Sequence, residues 1–163
     1  MRAFGSKLRA LREYHGLSQL ALAPRLALSN GHLNNLELGR REPSFDAAIR
    51  MALIFGVSTD YLLRDSIPLA PLPPSRLLQT TLPEAVASSF AQKVAYVRQH
   101  RRLSQVALAA LLVPSSQATI SNLEAGRKRP SPRLALQLAD ALRVSTDYLL
   151  LDNIPLGEFH DTR

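Results

Sequence analysis

Four kinds of side chain in this 163-residue sequence have the chemistry to act on something. The first is a pair of glutamates, Glu37 and Glu124, which would suit general acid–base work if a second carboxylate were placed beside them. The second is four histidines, His15, His32, His100 and His160. Their spacing fits no metal motif, and no cysteine is present to join them. No Ser-His-Asp arrangement, glycine-rich phosphate loop or paired-carboxylate site appears. The expectation is therefore no enzyme, no cofactor and no metal. The third kind is a set of carboxamides in short polar stretches, Asn30 and Asn35 in one half, Gln117 and Asn122 in the other. Such amides can pair bidentately with adenine, and a small apolar neighbour such as Ala118 can meet a thymine methyl. The fourth is two runs of cations, Arg40-Arg41 and Arg127-Lys128-Arg129. Cations settle at helix C-termini and also attract polyanions.

Composition agrees with the last two. Lys and Arg total 20 against 13 Asp and Glu, a formal net charge of +7. Hydrophobic residues at 46% are enough for a packed core. The longest apolar run, Val106 to Val113, is far below the roughly 20 residues that span a bilayer. Lys7, Arg9 and Arg12 interrupt any signal-peptide core. The expectation is a soluble cytoplasmic, nucleoid-associated protein with a polyanionic partner and no membrane contact.

These residues recur because the chain is written twice. Phe4 to Leu28 aligns with Phe90 to Pro114, and after one extra residue Ser29 to Leu69 aligns with Ser116 to Leu156. Roughly half of the aligned positions are identical, including Val57 to Leu63 with Val144 to Leu150. Repeats of this size are large enough to fold alone. The expected organisation is a first domain at 1–69, a linker at 70–83, a second domain at 84–156 and a tail at 157–163. The linker carries Pro71, Pro73, Pro74 and Pro83, so it is no helix interior. Its Leu72, Leu77, Leu78 and Leu82 imply that it packs on something. Residues 1–69 hold 9 basic and 6 acidic groups, a net +3, whereas residues 90–156 hold 9 and 4, a net +5.

The elements that position these residues read as helices throughout. No stretch alternates with period two between hairpin turns. In the first repeat the pattern predicts helices over about 4–15, 19–26, 30–38, 45–55 and 59–63. Ser18, Ser29, Ser44 and Ser58 are their N-caps, and Gly16, Gly39 and Gly56 their stops. The second repeat predicts the same series with Ser104, Ser116, Ser131 and Ser145 as caps. Its first helix is expected to begin near Glu84, with Pro83 placed as an N-terminal proline. Lys93, Arg101 and Arg102 read as solvated surface, with Arg101 and Arg102 near enough to the second helix to meet a backbone phosphate.

Two short helices joined by about three residues are the helix-turn-helix plan. Here the sequence resembles the Cro and phage-repressor, or XRE, group of helix-turn-helix regulators. The first repeat carries the resemblance through Leu17-Ser18-Gln19, Leu22-Ala23, Leu26, Ser29, Leu33, Leu36-Glu37, Gly39, Pro43, Ala52 and Val57. The second carries it through Leu103-Ser104-Gln105, Leu108-Ala109, Leu112, Ile120, Leu123-Glu124, Gly126, Pro130, Ala139 and Val144. The resemblance implies an all-α fold of two tandem lambda-repressor-like five-helix domains joined by the Pro-rich linker. It implies binding to double-stranded DNA, with the third helix of one or both repeats in the major groove. The base-facing set would be Asn30, Gly31, His32 and Asn35, and then Gln117, Ala118, Thr119, Ser121 and Asn122. Gln19 and Gln105 would contact phosphate and brace the third helix, and Arg40, Arg41, Arg127, Lys128 and Arg129 would meet phosphates. Glu37 would pair with Arg12, and Glu124 with Arg98, as structural ion pairs rather than catalytic acids.

The sequence departs from that pattern in places. Pro24 falls inside the second helix of the first repeat, Gly31 inside its third, and Ala27 and Val113 replace the small glycine of the turn. The second repeat has an extra residue around Pro114-Ser115. The second repeat is therefore expected to supply more of the DNA affinity. The resemblance implies a transcriptional regulator acting as a repressor and a homodimer as the preferred assembly. A linker of about 15 residues could extend to about 50 Å, enough for one chain to span half-sites roughly 34 Å apart. The rival reading is a DNA-binding antitoxin or switch protein whose main role is binding a protein partner, with one repeat used for protein association.

Overall fold

Serine placed three residues ahead of a backbone N–H that no helical carbonyl can reach is a local signal for a helix start. In the computed structural model, which describes residues 1–69, 89–112 and 115–159, all eight predicted serines do this. The chain divides into two compact units, Met1–Glu84 and Ala85–Arg163. The first holds α1 (Phe4–Tyr14), α2 (Gln19–Arg25), α3 (Asn30–Glu37), α4 (Phe45–Phe55) and α5 (Thr59–Leu63). The second holds α6 (Phe90–His100), α7 (Gln105–Ala110), α8 (Gln117–Glu124), α9 (Pro132–Leu142) and α10 (Thr146–Leu150). No strand occurs among the described residues, so the fold is all-α.

Each unit has its own apolar interior. Leu8, Leu11, Leu22, Leu26, Leu33, Leu36, Ile49 and Met51 are fully buried in the first. Val94, Val97, Leu108, Leu112, Ile120, Leu123 and Leu138 fill matching places in the second, and Leu142 is buried where the first has Phe55. In both, the third helix packs on the first and second, so its inner face is fixed and its outer face is left to solvent.

No serine side chain caps the first helix of either unit. Ala3 and Ser89 occupy the N-cap positions of α1 and α6 with no side-chain cap bond. The cap comes instead from the turn after the fifth helix. The Asp65 carboxylate accepts the Arg2 and Ala3 N–H groups at 2.9 and 2.8 Å, and Asp152 accepts the Ser89 N–H at 2.9 Å. The lysines return the favour at the other end. The Lys7 Nζ donates to the Tyr61 and Arg64 carbonyls, both at 2.6 Å, and the Lys93 Nζ donates to the Leu151 carbonyl at 2.6 Å. Lys93 is thus buried, not solvated, and both lysines lie over a tyrosine ring, Tyr61 or Tyr148. Burial pushes both ammonium groups below the ordinary lysine range, against the opposing pull of Asp65 and Asp152.

The first described helix of the second unit begins at Phe90, and the expected start near Glu84 lies outside the described residues. The linker at 70–83, the turn residues Val113 and Pro114, and His160 to Arg163 lie outside them too. Pro24 sits in the last turn of α2, where the helix continues to Arg25. The helix then closes in a Schellman turn, with Ala27 N–H on the Pro24 carbonyl at 3.0 Å and Leu28 N–H on the Ala23 carbonyl at 2.9 Å. Ala27 takes the left-handed φ of 54° that this turn demands.

Candidate nucleic-acid interface

The outer face of α3 is oriented by a clamp on its last residue. The Glu37 side chain is only 3% exposed. Its two oxygens accept Arg12 Nε at 2.6 Å and Nη2 at 3.0 Å, a two-pronged pair across α1 and α3. The remaining guanidinium nitrogen, Nη1, donates to the Leu17 carbonyl at 2.9 Å, which ties in the turn before α2. The amide of Gln19, the first residue of α2, donates to Glu37 Oε2 at 2.8 Å. One carboxylate therefore joins three elements. The hydrogen bonds that Arg12 donates to Glu37 are the main reason that the Arg12 pKa lies above the ordinary arginine value.

The second unit repeats the arrangement. Arg98 donates to Glu124 from Nε at 2.5 Å and from Nη2 at 2.9 Å, and from Nη1 to the Leu103 carbonyl at 2.8 Å. Gln105 donates to Glu124 Oε2 at 2.9 Å. The network then runs one step further, because Gln117 Nε2 lies 3.4 Å from Gln105 Oε1. Glu37 and Glu124 are thereby committed to ion pairs, and the Glu13 carboxylate lies 3.4 Å from the same Arg12 Nη2 that donates to Glu37.

On the outer face, Asn30 and Gly31 are exposed at the start of α3, and His32 and Asn35 are half-buried one turn on. In α8, Gln117 and Ala118 are exposed, and Thr119, Ser121 and Asn122 are half-buried. The Thr119 hydroxyl is 3.1 Å from the Ser116 hydroxyl, so it shares in the cap of α8. Sequence reasoning passed over Asn34, which sits where the second repeat has Ser121. Its Oδ1 lies 3.4 Å from Gln19 Nε2.

The cations follow from how the third helix stops. Gly39 and Gly126 take φ of 66° and 68°, which glycine adopts without strain. Their N–H groups reach back to Leu36 and Leu123 at 3.1 and 3.0 Å, and the next N–H groups, of Arg40 and Arg127, reach Asn35 and Asn122 at 2.9 Å. The chain is turned out at that point, and Arg40, Arg41, Arg127, Lys128 and Arg129 are all exposed. Glu42 follows Arg41 in the first unit where Arg129 follows Lys128 in the second, so the second cation run is longer and undiluted.

Among the described residues, no cluster of histidine, aspartate or glutamate could hold a metal ion. No helix there is long and apolar enough to cross a membrane.

Comparison with known proteins matches this geometry. The helix-turn-helix family profile fits residues 8–62 and again residues 94–149. The HTH-type transcriptional regulator ImmR of Bacillus subtilis (strain 168) is 34% identical over 61 residues, covering 37% of this chain and 48% of that protein. The SPbeta prophage-derived uncharacterized HTH-type transcriptional regulator YonR of the same strain is also 34% identical over 61 residues, covering 37% of this chain and 56% of its own. The chain thus spans about half the length of the curated relatives it matches. No solved structure matches it. With the motif present twice and its clamp built twice, the chain belongs to the XRE-type helix-turn-helix family as a tandem of two domains.

Proposed function

We propose that this chain is a transcriptional regulator that binds double-stranded DNA in a sequence-specific way and acts as a repressor. The observation that carries the reading is the doubled clamp. It holds the third helix of each unit with its polar N-terminal face outward and a cation run at its end. In this reading the outer face of α3, of α8 or of both enters the major groove. Asn30, His32 and Asn35 on one, and Gln117, Ala118, Thr119, Ser121 and Asn122 on the other, meet base edges. Gly31 lets the backbone of α3 come close. Arg40, Arg41, Arg127, Lys128 and Arg129 neutralise phosphates and set register without reading sequence. Gln19 and Gln105, already bonded to the buried glutamates, add phosphate contacts at the N-termini of α2 and α7.

The domain boundaries that go with this are 1–69 and 84–156, with 70–83 as the tether and 157–163 as a tail. The preferred assembly is a homodimer, which would present four reading heads.

Selection of bound sequences from random duplex DNA tests the reading and reports half-site spacing. Enrichment of a defined site is expected. Changing Gln117 and Asn122 to alanine should relax the preference at particular base pairs, each about 1–3 kcal/mol of discrimination. Changing Arg127 and Lys128 to alanine should weaken all sequences alike. If no site is enriched and none of these variants alters duplex binding, the chain is instead a protein-binding module, such as an antitoxin.

A further inference from the structure

The second unit places arginine where the first places glycine, twice, on one patch. Arg102 follows α6 with φ of 56°, and Arg143 closes α9 with φ of 50°. The matching residues in the first unit are Gly16 and Gly56, at φ of 64° and 61°. The turns themselves are the same. Arg102 N–H reaches the Gln99 carbonyl at 2.9 Å and Leu103 N–H the Arg98 carbonyl at 3.0 Å, as Gly16 reaches Glu13 at 2.9 Å and Leu17 reaches Arg12 at 3.0 Å. The left-handed region strains any residue with a Cβ, so glycine would serve each turn better. An arginine kept at such a place points to a use for its side chain.

The two turns are tied together. Arg101, next to Arg102, donates from Nη2 to the Arg143 carbonyl at 3.3 Å, which joins the C-terminal ends of α6 and α9. Arg102 and Arg143 are both exposed. In the first unit the place of Arg101 is taken by His15, packed on Phe55 with its ring centroid 5.3 Å away, and burial lowers its pKa. The cation patch therefore belongs to the second unit. It also lies beside the candidate interface. Arg102 immediately precedes the Leu103-Ser104-Gln105 segment that starts α7, and Gln105 connects to Gln117 on the outer face of α8.

We propose that Arg102 and Arg143 form a second phosphate-binding patch of the second unit, gripping the backbone of the same duplex beyond the segment that α8 reads. This rests on the DNA-binding reading above. Cations also suit helix C-termini for purely structural reasons, so the test separates anchoring of DNA from support of the helices.

The experiment measures binding of the full chain to a long mixed-sequence duplex across a range of potassium chloride concentrations. It compares wild type, R102G/R143G, R102K/R143K and R127A/K128A, with circular dichroism melts of each. The glycine pair copies the first unit and should melt no lower than wild type. Its plot of log affinity against log salt should be shallower by about 1.8, at about 0.9 per phosphate neutralised. Near 0.1 M salt its affinity should fall on the order of tenfold for each phosphate no longer gripped. The lysine pair should keep the wild-type slope. A glycine pair with the wild-type slope, beside an R127A/K128A variant whose slope drops, overturns the patch and leaves DNA binding standing. A wild-type chain that binds no duplex at any salt overturns both.

Discussion

At the residue scale, the carboxylates that looked most able to catalyse are the ones most fully spent on structure. Glu37 and Glu124 each receive two bonds from an arginine and one from a glutamine, in surroundings that leave the side chains 3% and 8% exposed. Removing one partner of such a pair strands a charge with little access to water. Arg98→Ala is accordingly expected to destabilise the second unit by about 3–5 kcal/mol, read from chemical denaturation of the full chain. Exchanging the pair together, Arg98→Met with Glu124→Leu, should recover much of that loss. The pairing partners were legible in the sequence only through the family resemblance, because spacing alone does not bring position 12 to position 37. Gly5 was not legible at all. A Cβ built there would lie 2.5 Å from the Leu36 carbonyl oxygen and 2.6 Å from that of Glu37, so α1 rests directly on the backbone of α3. Gly5→Ala should cost about 1–3 kcal/mol, the usual range for forcing atoms into a filled space. The second repeat has Ala91 at the matching position, so α6 must stand far enough from α8 to admit the methyl.

At the element scale, the serine caps could be read from sequence because donor and acceptor are three residues apart, and each serine precedes an apolar-periodic run. The caps of α1 and α6 could not be read so, since Asp65 and Asp152 reach them from the far end of the domain. The repeat held a hint nonetheless. Lys7 with Lys93 and Asp65 with Asp152 are identical pairs at aligned positions. Asp65→Ala is expected to lower stability by about 1 kcal/mol, as loss of a helix cap does. The pH dependence has a definite sign. The Ala3 and Arg2 N–H groups hold the Asp65 carboxyl down to about 2, below its ordinary 3.8. Its contribution is therefore whole above pH 3.8 and fades as the pH falls towards 2. Melting curves taken through that window should converge for wild type and Asp65→Ala at the acid end. If their separation stays constant down to pH 2, the carboxylate is not what caps α1. The α2 terminus carries a different burden. Pro24 removes the N–H that would bond to the Leu20 carbonyl, and Ala27 holds a left-handed φ. Ala27→Gly should stabilise the first unit by up to about 1 kcal/mol, relieving a strain that the glycines of the neighbouring turns avoid.

At the scale of the whole molecule, the duplication was the most legible feature, since near-half identity over two stretches needs no structure to see. The sequence already showed the two copies unequally charged, but not which of the cations reach the surface. The count of +3 against +5 understates the difference, because it does not say where the charges go. In the second unit, Arg127, Lys128 and Arg129 run on without an acid, and Arg102 and Arg143 occupy turns that glycine makes in the first. Lys93 drops out of that surface altogether, as it is buried against Tyr148. The first unit sets Glu42 beside its two arginines and ends α2 on Pro24 and Ala27. In the proposed DNA-binding reading both features favour the second unit, since the first sets an acid beside its phosphate anchor and follows α2 with a strained turn. The two units should therefore contribute unequally to affinity. Reversing Arg127 and Lys128 to glutamate in the full chain should reduce duplex affinity at least about tenfold more than reversing Arg40 and Arg41, at the same salt, because the anchor it destroys has more phosphates to lose. Glu42→Arg should move the first unit towards the second, steepening the salt dependence by about 0.9 for a single additional phosphate neutralised. Equal losses from the two reversals, together with no response to Glu42→Arg, would mean that the heads share the duplex evenly and that the charge difference serves something else.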